Sequence, residues 1–271
     1  MYSYLDVLKN KWGRLARKSA HRIGGAPATV AEAPIAPEPP NYDPNPAIRR
    51  EIAFRYLNGE GIEIGALHSP LEVPRSARVR YMDRLPVDQL RKQYPELEEQ
   101  YLVEVEIVGN GELLETVADN SLDFVIANHM IEHCQNPLLA IENYMRVLRQ
   151  GGVIYMAVPD KRHTFDSDRP NTGIDHLARD YDEGPEWSRH GHFEEYARLV
   201  DKVPASELEE KTARLIEIDY SIHFHVWTPA DFMEMLLYCR QSIARELEIE
   251  LFRKNGMESI FILRKSDSAA A

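Results

Sequence analysis

The hydrophobic pattern of the chain alternates between short β-rich runs and segments of helical or loop character. Five runs follow one another, at 61–66, 78–83, 104–109, 122–128 and 153–159. Between the last two, apolar residues recur at helical spacing from Leu138 to Leu148, and Gly151-Gly152 supplies a helix stop signal. This alternation predicts βαβ units around a parallel sheet that is covered on both faces.

The end of the chain shows a different pattern. Thr228-Pro229 has the form of a helix N-cap followed by proline at the first helical position. Two further β-rich runs, 246–252 and 259–263, flank Asn255-Gly256, which is a strong hairpin signal. A parallel sheet that finishes in an antiparallel hairpin, without a G-x-G-x-x-G fingerprint, argues against a nicotinamide-dependent oxidoreductase.

The pattern also divides the chain into segments. Residues 1–23 predict a basic amphipathic helix, which would either dock on its own domain or touch an anionic membrane surface or a partner. Residues 24–46 are rich in Pro and Ala and predict an extended linker. The catalytic domain is expected over 47–265, with an insertion at 160–227, and a disordered tail over 266–271.

Composition narrows the possible partners and the compartment. A formal net charge of -12 disfavours nucleic acid as a partner. Cys134 and Cys239 lie far apart without C-x-x-C spacing, so neither disulfides nor a cysteine-rich zinc site is indicated. No apolar run approaches the roughly 20 residues of a transmembrane helix, and basic residues interrupt the N-terminus where a signal peptide would be apolar. We therefore expect a cytoplasmic protein.

Four segments carry a family resemblance. In chain order they read GIEIGALHSP, RVRYMD, DNSLDFVIANHMIEH and RVLRQGGVIYMAVPD. Together they resemble class I S-adenosylmethionine-dependent methyltransferases, especially the ubiquinone and small-molecule methyltransferase subgroup, over residues 62–159. The resemblance implies an α/β fold with a Rossmann-like, doubly wound sheet of seven strands, mostly parallel with a terminal antiparallel hairpin. It also implies S-adenosyl-L-methionine as the cofactor.

The resemblance assigns cofactor binding to the ends of the first four strands. There the family uses glycines near the amino acid portion of the cofactor, an acidic residue at the ribose and a polar residue near the adenine. The residues at these places are Glu63, Gly65, Ala66, Asp83, Asn110, Gly111, Glu112 and Asn128.

Several of these assignments leave alternatives open. The family usually has two or three glycines where this chain has only Gly65, which would otherwise simply end a strand. Glu63 would hold the loop or face the sulfonium, and Asp83 would bind the ribose, cap a helix or pair with Arg84. Asn110 replaces the more usual aspartate.

Candidate catalytic residues follow the fourth and fifth strands. His129 can act as a general base, because imidazole titrates near neutral pH, and a structural role is the alternative. Asp160 and His163 come directly after the fifth strand and are expected to hydrogen-bond a hydroxyl-rich acceptor. His133 is expected to order the loop that follows it.

The insertion at 160–227 holds six of the ten histidines, and its position predicts a lid over the active-site edge. Expected aromatic lining residues are Trp187, Phe193, Tyr196, Phe224 and Trp227. The HGH and HFH pairs are compatible with a divalent metal site, but hydrogen-bonded histidines in a polar lid are the favoured interpretation, so no metal ligand is assigned.

The predicted function is therefore methyl transfer to a small-molecule or glycan acceptor, with an oxygen on a sugar or polysaccharide intermediate as the favoured atom. Methyl transfer from a sulfonium is mainly a matter of alignment, so a weak base and a dry pocket suffice. The alternative is a catalytically silent module that binds the cofactor and holds a partner.

Overall fold

The computed structural model describes residues 43–97 and 99–266, and within them seven strands form one mixed sheet in the order β3-β2-β1-β4-β5-β7-β6. The first five strands run parallel, and β7 is antiparallel to both β5 and β6. The strands are β1 (Gly59–Ile64), β2 (Ala77–Asp83), β3 (Ile107–Val108), β4 (Leu122–Ile126), β5 (Leu148–Pro159), β6 (Leu247–Asn255) and β7 (Glu258–Lys265). The predicted Rossmann-like sheet with a terminal antiparallel hairpin is confirmed.

The described residues also form seven α-helices. They are α1 (Pro46–Tyr56), α2 (Val87–Gln93), α3 (Pro137–Val147), α4 (Ile174–Glu183), α5 (Glu186–Leu199), α6 (Leu208–Glu217) and α7 (Pro229–Ser242). Short 3₁₀ turns lie at Pro95–Leu97, Ile131–His133 and Lys161–His163. None of the described helices combines the length and apolar character needed to cross a membrane.

Both faces of the sheet are covered, as a doubly wound fold requires. Along β4, Phe124 and Ile126 belong to a core that includes residues of α1, whereas Val125 belongs to the core formed with α3 and α7. All three side chains are fully buried. Each such side chain contributes about 1.5–3 kcal/mol of burial free energy, so the alternation fixes the strand register.

Helix starts agree with the sequence signals. Thr228 accepts a hydrogen bond from the Asp231 backbone while the Asp231 carboxylate accepts one from the Thr228 backbone, which completes a capping box at α7. Asn136 caps α3 in the same way through the backbone of Leu139. In the hairpin, Gly256 has φ 64° and supplies the positive φ that the two-residue connection requires.

Two predicted strands differ in length from the observed ones. The run at 104–109 forms only a two-residue strand, since β3 pairs with β2 at Ile107 and Val108 alone and lies at the edge of the sheet. The last strand of the parallel set begins at Leu148 rather than at 153, because Leu148 pairs with Leu122 before a register shift. Edge position and register irregularities depend on partners that are distant in sequence.

The segment between β5 and α7, residues 160–227, contains α4, α5 and α6. We call it the helical insertion. It has its own core, which includes Phe193, Tyr196, Leu215 and Ile222. The predicted N-terminal helix, most of the predicted linker and nearly all of the tail lie outside the described residues.

Candidate functional site

A cavity of about 1650 Å³ opens at the carboxyl ends of β1 to β4, where ligands bind in open α/β sheets. All eight sequence-predicted cofactor residues line it, and so does His129. Phe224 and Ser221 of the helical insertion line the opposite wall. The structure therefore brings the first four strand ends and the insertion to one place.

A buried carboxylate, Glu63, fixes the loop after β1 through hydrogen bonds. Both carboxylate oxygens of Glu63 accept a hydrogen bond from the Leu71 backbone N–H, at 3.0 and 3.1 Å. Burial raises the pKa of Glu63 to about 8. Gly65 has φ 68° and Leu67 has φ 50°, so leucine occupies a second left-handed position without a second glycine. Of the two roles predicted for Glu63, the structure shows the one that holds the loop.

Asp83 ends β2 beside this loop. Its carboxylate accepts a hydrogen bond of 2.7 Å from the Arg84 backbone, and burial raises its pKa to about 6. The guanidinium of Arg84 donates to the Asp219 side chain and carbonyl at 3.3 Å. Asp83 thus presents a partly desolvated carboxylate to the cavity.

The turn after β3 contributes a second wall. The side chain of Asn110 accepts hydrogen bonds from the backbones of Glu112 and Leu113 and shapes the turn. The Glu112 carboxylate accepts from the backbones of Gln135 and Asn136 at 2.8 and 2.9 Å, so it anchors the turn to the start of α3. Gly111 leaves no room for a side chain, because a Cβ there would lie 2.5 Å from Ile64 Cγ2.

Asn128 follows β4, and its side-chain amide group has a hydrogen-bond donor without a partner among the described residues. Its Oδ1 accepts a hydrogen bond of 3.0 Å from the Ala157 backbone. Its Nδ2 is buried and has no hydrogen-bond partner among the described residues. A buried unpaired amide is costly, so this group fits an acceptor atom on a bound ligand.

His129 adopts a left-handed backbone conformation with φ 49°. Its Nε2 lies 2.8 Å from Glu258 Oε2 and 3.0 Å from Arg49 Nη2, and its Nδ1 lies 3.6 Å from Glu132 Oε1. Although burial opposes ionisation, the hydrogen bond and charge of Arg49 lower the pKa of Glu258 to about 2, and His129 adds to this effect. His129 is therefore held between two carboxylates at the cavity edge.

A second buried polar group lies behind His129. Both carboxylate oxygens of Glu132 are buried without a hydrogen bond from the described residues, and burial raises the pKa of Glu132. His223 Nδ1 lies 2.7 Å from Asp166 Oδ2, and Arg169 donates to Asp166 at 2.8 Å. His223 Nε2 is 4.0 Å from Glu132. A series of ionisable side chains therefore runs from His129 at the cavity edge to Asp166 in the insertion.

Asp160 and His163 do not line the cavity, contrary to the sequence prediction. The Asp160 carboxylate accepts hydrogen bonds from the backbone and guanidinium of Arg162 and caps the 3₁₀ turn at Lys161–His163. His163 Nε2 lies 3.8 Å from the same carboxylate. The chain turns away from the cavity here because the backbone of Asp160 pairs with Met257 and that of Lys161 with Trp227. Both residues stabilise a turn.

Of the five aromatic residues expected to line the site, only Phe224 is among the described lining residues. Phe193 and Tyr196 pack in the core of the insertion, and Trp227 packs in the main core against Phe232. Trp187 lies over His176 instead. Of these residues, Phe193 and Tyr196 therefore stabilise the insertion from within.

Sequence reasoning did not identify Arg49 or Glu258, whose ion pair holds His129. No recognisable motif surrounds Arg49. Glu258 follows a hairpin turn, and the turn alone accounts for the sequence at that place. His133, which was expected to order the loop that follows it, instead contacts the helical insertion, since its Nδ1 lies 2.8 Å from the Ile222 carbonyl. Burial lowers the pKa of His133 to about 3.

Four of the six histidines of the insertion lie in two groups. His176, His192 and His225 converge on Asp180, and His223 lies with His133 and Glu132. The predicted strand-like pairs do not act as pairs, because His192 lies on α5 and because His223 and His225 belong to different groups. Either group offers ligand types that transition metals accept.

Residues 61–156 match a family model described as "Methyltransferase domain". The matched region runs from β1 into β5, so the similarity to this family covers the strand ends that line the cavity and excludes the helical insertion.

Solved structures are similar to most of this chain, at low sequence identity and with TM-scores below 0.5. A Rhodobacter sphaeroides protein described provisionally as a Zn-dependent alcohol dehydrogenase is 14% identical with a TM-score of 0.48, over 81% of this chain and 88% of that one. A SAM-dependent methyltransferase of Thermotoga maritima, described as a possible histamine N-methyltransferase, is 14% identical with a TM-score of 0.41, over 77% and 83%.

A SAM-dependent methyltransferase of Aquifex aeolicus is 11% identical with a TM-score of 0.45, over 82% of this chain and 90% of that chain. At this identity and superposition, these proteins inform neither the activity nor the substrate of this chain. No curated protein matches the sequence.

Proposed function

We propose that this protein is an S-adenosylmethionine-dependent methyltransferase that methylates an oxygen of a small-molecule or sugar-like acceptor. One observation carries the proposal: within the matched methyltransferase domain, all eight residues assigned to the cofactor line a single cavity at the strand ends. These residues come from four strand ends, and a common cavity is what cofactor binding requires of them.

The residues around the cavity fit this cofactor. Gly65 and Ala66 would let the backbone approach the amino acid portion of the cofactor, Asp83 would accept hydrogen bonds from the ribose hydroxyls, and Asn110 would offer a polar group to the adenine. The unpaired Nδ2 of Asn128 supplies a buried donor for a ligand acceptor atom. When bound, the cofactor supplies an activated methyl group as a sulfonium.

His129 is the proposed general base. In the tautomer whose Nε2–H donates to Glu258, Nδ1 carries the lone pair that takes the proton of an acceptor hydroxyl. Glu258 and Glu132 then stabilise the imidazolium, as a carboxylate does for the histidine of a catalytic triad.

The helical insertion is the proposed lid and acceptor wall. Tyr220, Ser221 and Phe224 line the cavity opposite the cofactor residues. Aromatic faces combined with hydroxyl groups suit a sugar ring, which has apolar faces and a polar rim. The net charge of -12 favours a neutral or cationic acceptor over a phosphorylated one.

A methyl-transfer assay tests this function. Radiolabelled S-adenosylmethionine is offered with panels of sugars, phenols and amines, and product formation is compared for wild type, His129→Gln and His163→Gln. We expect transfer to a hydroxyl compound, a kcat about 10²–10⁴-fold lower in His129→Gln, and wild-type activity in His163→Gln. Methyl transfer to amines alone would contradict the proposed oxygen acceptor. Equal activity of His129→Gln and His163→Gln would contradict the role of His129 as the general base.

The alternative is a catalytically silent module with a methyltransferase fold. The loop after β1 favours it, because Leu67 stands in a left-handed position where a glycine would give the ligand more room. Saturable cofactor binding without transfer to any acceptor of the panels would support this alternative.

A further inference from the structure

We propose that His176, Asp180, His192 and His225 bind one zinc ion, which fastens the helical insertion together behind the cavity. The site is independent of the cofactor residues, none of which belongs to it. It is built from three imidazoles and one carboxylate, which are established zinc ligands.

The four residues come from three separate parts of the insertion. His176 and Asp180 lie one turn apart on α4, His192 lies on α5, and His225 lies in the extended segment before α7. Their ligand atoms all lie within 4.8 Å of one another. The folded insertion therefore brings three histidines from separate segments to one buried carboxylate.

The distances fit tetrahedral coordination. With bonds of about 2.0–2.1 Å, tetrahedral zinc ligands stand about 3.4 Å from one another. Asp180 Oδ2 lies 3.2 Å from His176 Nε2 and 3.6 Å from His225 Nε2. His176 Nε2 lies 3.1 Å from His192 Nε2. A single ion can therefore be placed among these atoms with little movement.

The Asp180 carboxylate provides an independent indication of a ligand. Its side chain is fully buried, and its Oδ2 makes no hydrogen bond within the described structure although two histidine nitrogens surround it. Its other oxygen, Oδ1, accepts a hydrogen bond of 2.9 Å from Ser188, which orients the carboxylate. An unpaired buried carboxylate oxygen aimed at imidazole nitrogens is what a cation would satisfy.

A metal-free network of histidines explains less of the geometry. It would use an N–H···N bond between His176 and His192 and a bond of 3.2 Å from His225 Nε2 to the Gln135 carbonyl. Such a network leaves Asp180 Oδ2 and His225 Nδ1 buried without partners. A bound cation would satisfy the carboxylate oxygen of Asp180, in exchange for the weaker neutral bond between His225 Nε2 and the Gln135 carbonyl.

The ligand set points to zinc. Three nitrogens and one oxygen are too nitrogen-rich for Mg²⁺ or Ca²⁺, which prefer oxygen ligands. Four protein ligands without an open position are typical of a structural site. Such an ion would join α4 and α5 to the segment that carries Phe224 into the cavity wall.

Metal analysis of the purified full-length protein tests the site. Protein made without an affinity tag is analysed for zinc, then stripped with a chelator and titrated with Co²⁺ while visible absorption is recorded. We expect about one zinc per chain and the intense visible bands of tetrahedral Co²⁺. Cofactor binding is measured on the same samples, so that failure of the metal site and failure of the proposed function are distinguished.

Two histidines of α5 form a matched pair of variants. His192 belongs to the cluster and His190, two residues earlier, does not. We expect His192→Ala to lose the zinc and the Co²⁺ bands, and His190→Ala to keep both. Ser188→Ala, which keeps all four ligands, should weaken metal affinity about 10–100-fold and serves if His192→Ala does not fold.

Folded wild-type protein that contains no zinc and gives no tetrahedral Co²⁺ spectrum would overturn the proposal. Equal loss of metal in His190→Ala and His192→Ala would overturn it as well, because the ion would then lie elsewhere.

Discussion

The two walls of the cavity are held in different ways. On the strand side, Glu63, Asp83 and Asn110 bond to backbone groups 8, 1 and 2 residues away in the chain. In the helical insertion, Asp166 bonds to His223, 57 residues away. These three strand-side contacts are local in the sequence, whereas the contact between Asp166 and His223 forms only when distant parts of the chain meet.

This difference has a dynamic consequence. The insertion has a core of its own and long-range polar contacts, so it is expected to open as a cooperative unit, while the strand-side loops keep their shape. A wall that opens as a unit suits acceptor entry, and a wall that stays formed suits a cofactor site.

The largest effect is expected at Glu258, where the strand side does depend on a distant partner. Glu258→Ala leaves the Arg49 guanidinium without its buried carboxylate, and such a loss typically costs about 3–5 kcal/mol of unfolding free energy. Urea denaturation measures it. The control Glu250→Ala removes a partly exposed ion pair with Arg264 and should cost below about 1 kcal/mol. Similar losses in the two variants would contradict the importance of the buried pair.

Asp166 tests the insertion through pH. Burial opposes its ionisation, but the charge and hydrogen bond of His223, assisted by Arg169, lower the pKa of Asp166 to about 2. Because the folded pKa lies below the ordinary 3.8, its stabilisation is fully present above that value and is lost as pH falls toward 2.

We therefore expect Asp166→Asn to lower the unfolding free energy by about 2 kcal/mol at pH 7, and the gap to wild type to narrow below pH 4. Thermal and urea unfolding as functions of pH measure this. A gap that stays constant down to pH 2 would show that Asp166 does not act through its charge.

Asp83 tests the strand side with a smaller, ligand-dependent effect. Burial raises its pKa to about 6, and the ionised carboxylate is the better acceptor for ribose hydroxyls. Cofactor affinity should fall as pH decreases below 6, by up to about tenfold per pH unit. Calorimetric titrations from pH 5 to 8 measure it. Asp83→Asn should abolish this dependence, and its persistence in the variant would assign the titration to another group.

The smallest effect is expected at Asp219, which connects the two walls. It accepts from Arg84 after β2 and from Arg189 on α5, but its side chain is 62% exposed. Asp219→Ala should therefore change the unfolding free energy by less than about 1 kcal/mol. Urea denaturation that shows a loss of several kcal/mol would mean that the two walls form one cooperative unit.

The sequence predicted most of the sheet because its signals are local. The β-rich run at 122–128, the N-cap and proline at Thr228-Pro229 and the hairpin signal Asn255-Gly256 each identify an element without knowledge of its neighbours. The short β3 was predicted too long because strand length at a sheet edge is set by the partner strand.

The same distinction explains the candidate site. The residues assigned to the cofactor reach one cavity because each lies near the end of a strand, and parallel strands end at a common edge. Asp160 was expected beside them, and nothing local in the sequence showed that Arg162 would bind its carboxylate. The group around Asp180 was not predicted because it needs three segments to meet, although the His176 and Asp180 spacing of one helical turn was a signal that could have been used.

We propose that the cavity at the strand ends binds S-adenosylmethionine. Isothermal titration of the protein with S-adenosylmethionine and S-adenosylhomocysteine tests this binding. The proteins compared are wild type, Asp83→Ala and the control Asp88→Ala, whose side chain lies on α2 outside the cavity lining. We predict saturable one-site binding to wild type and Asp88→Ala, and affinity about 100-fold or more weaker in Asp83→Ala. No binding to folded wild type, or equal binding to all three proteins, would contradict the claim.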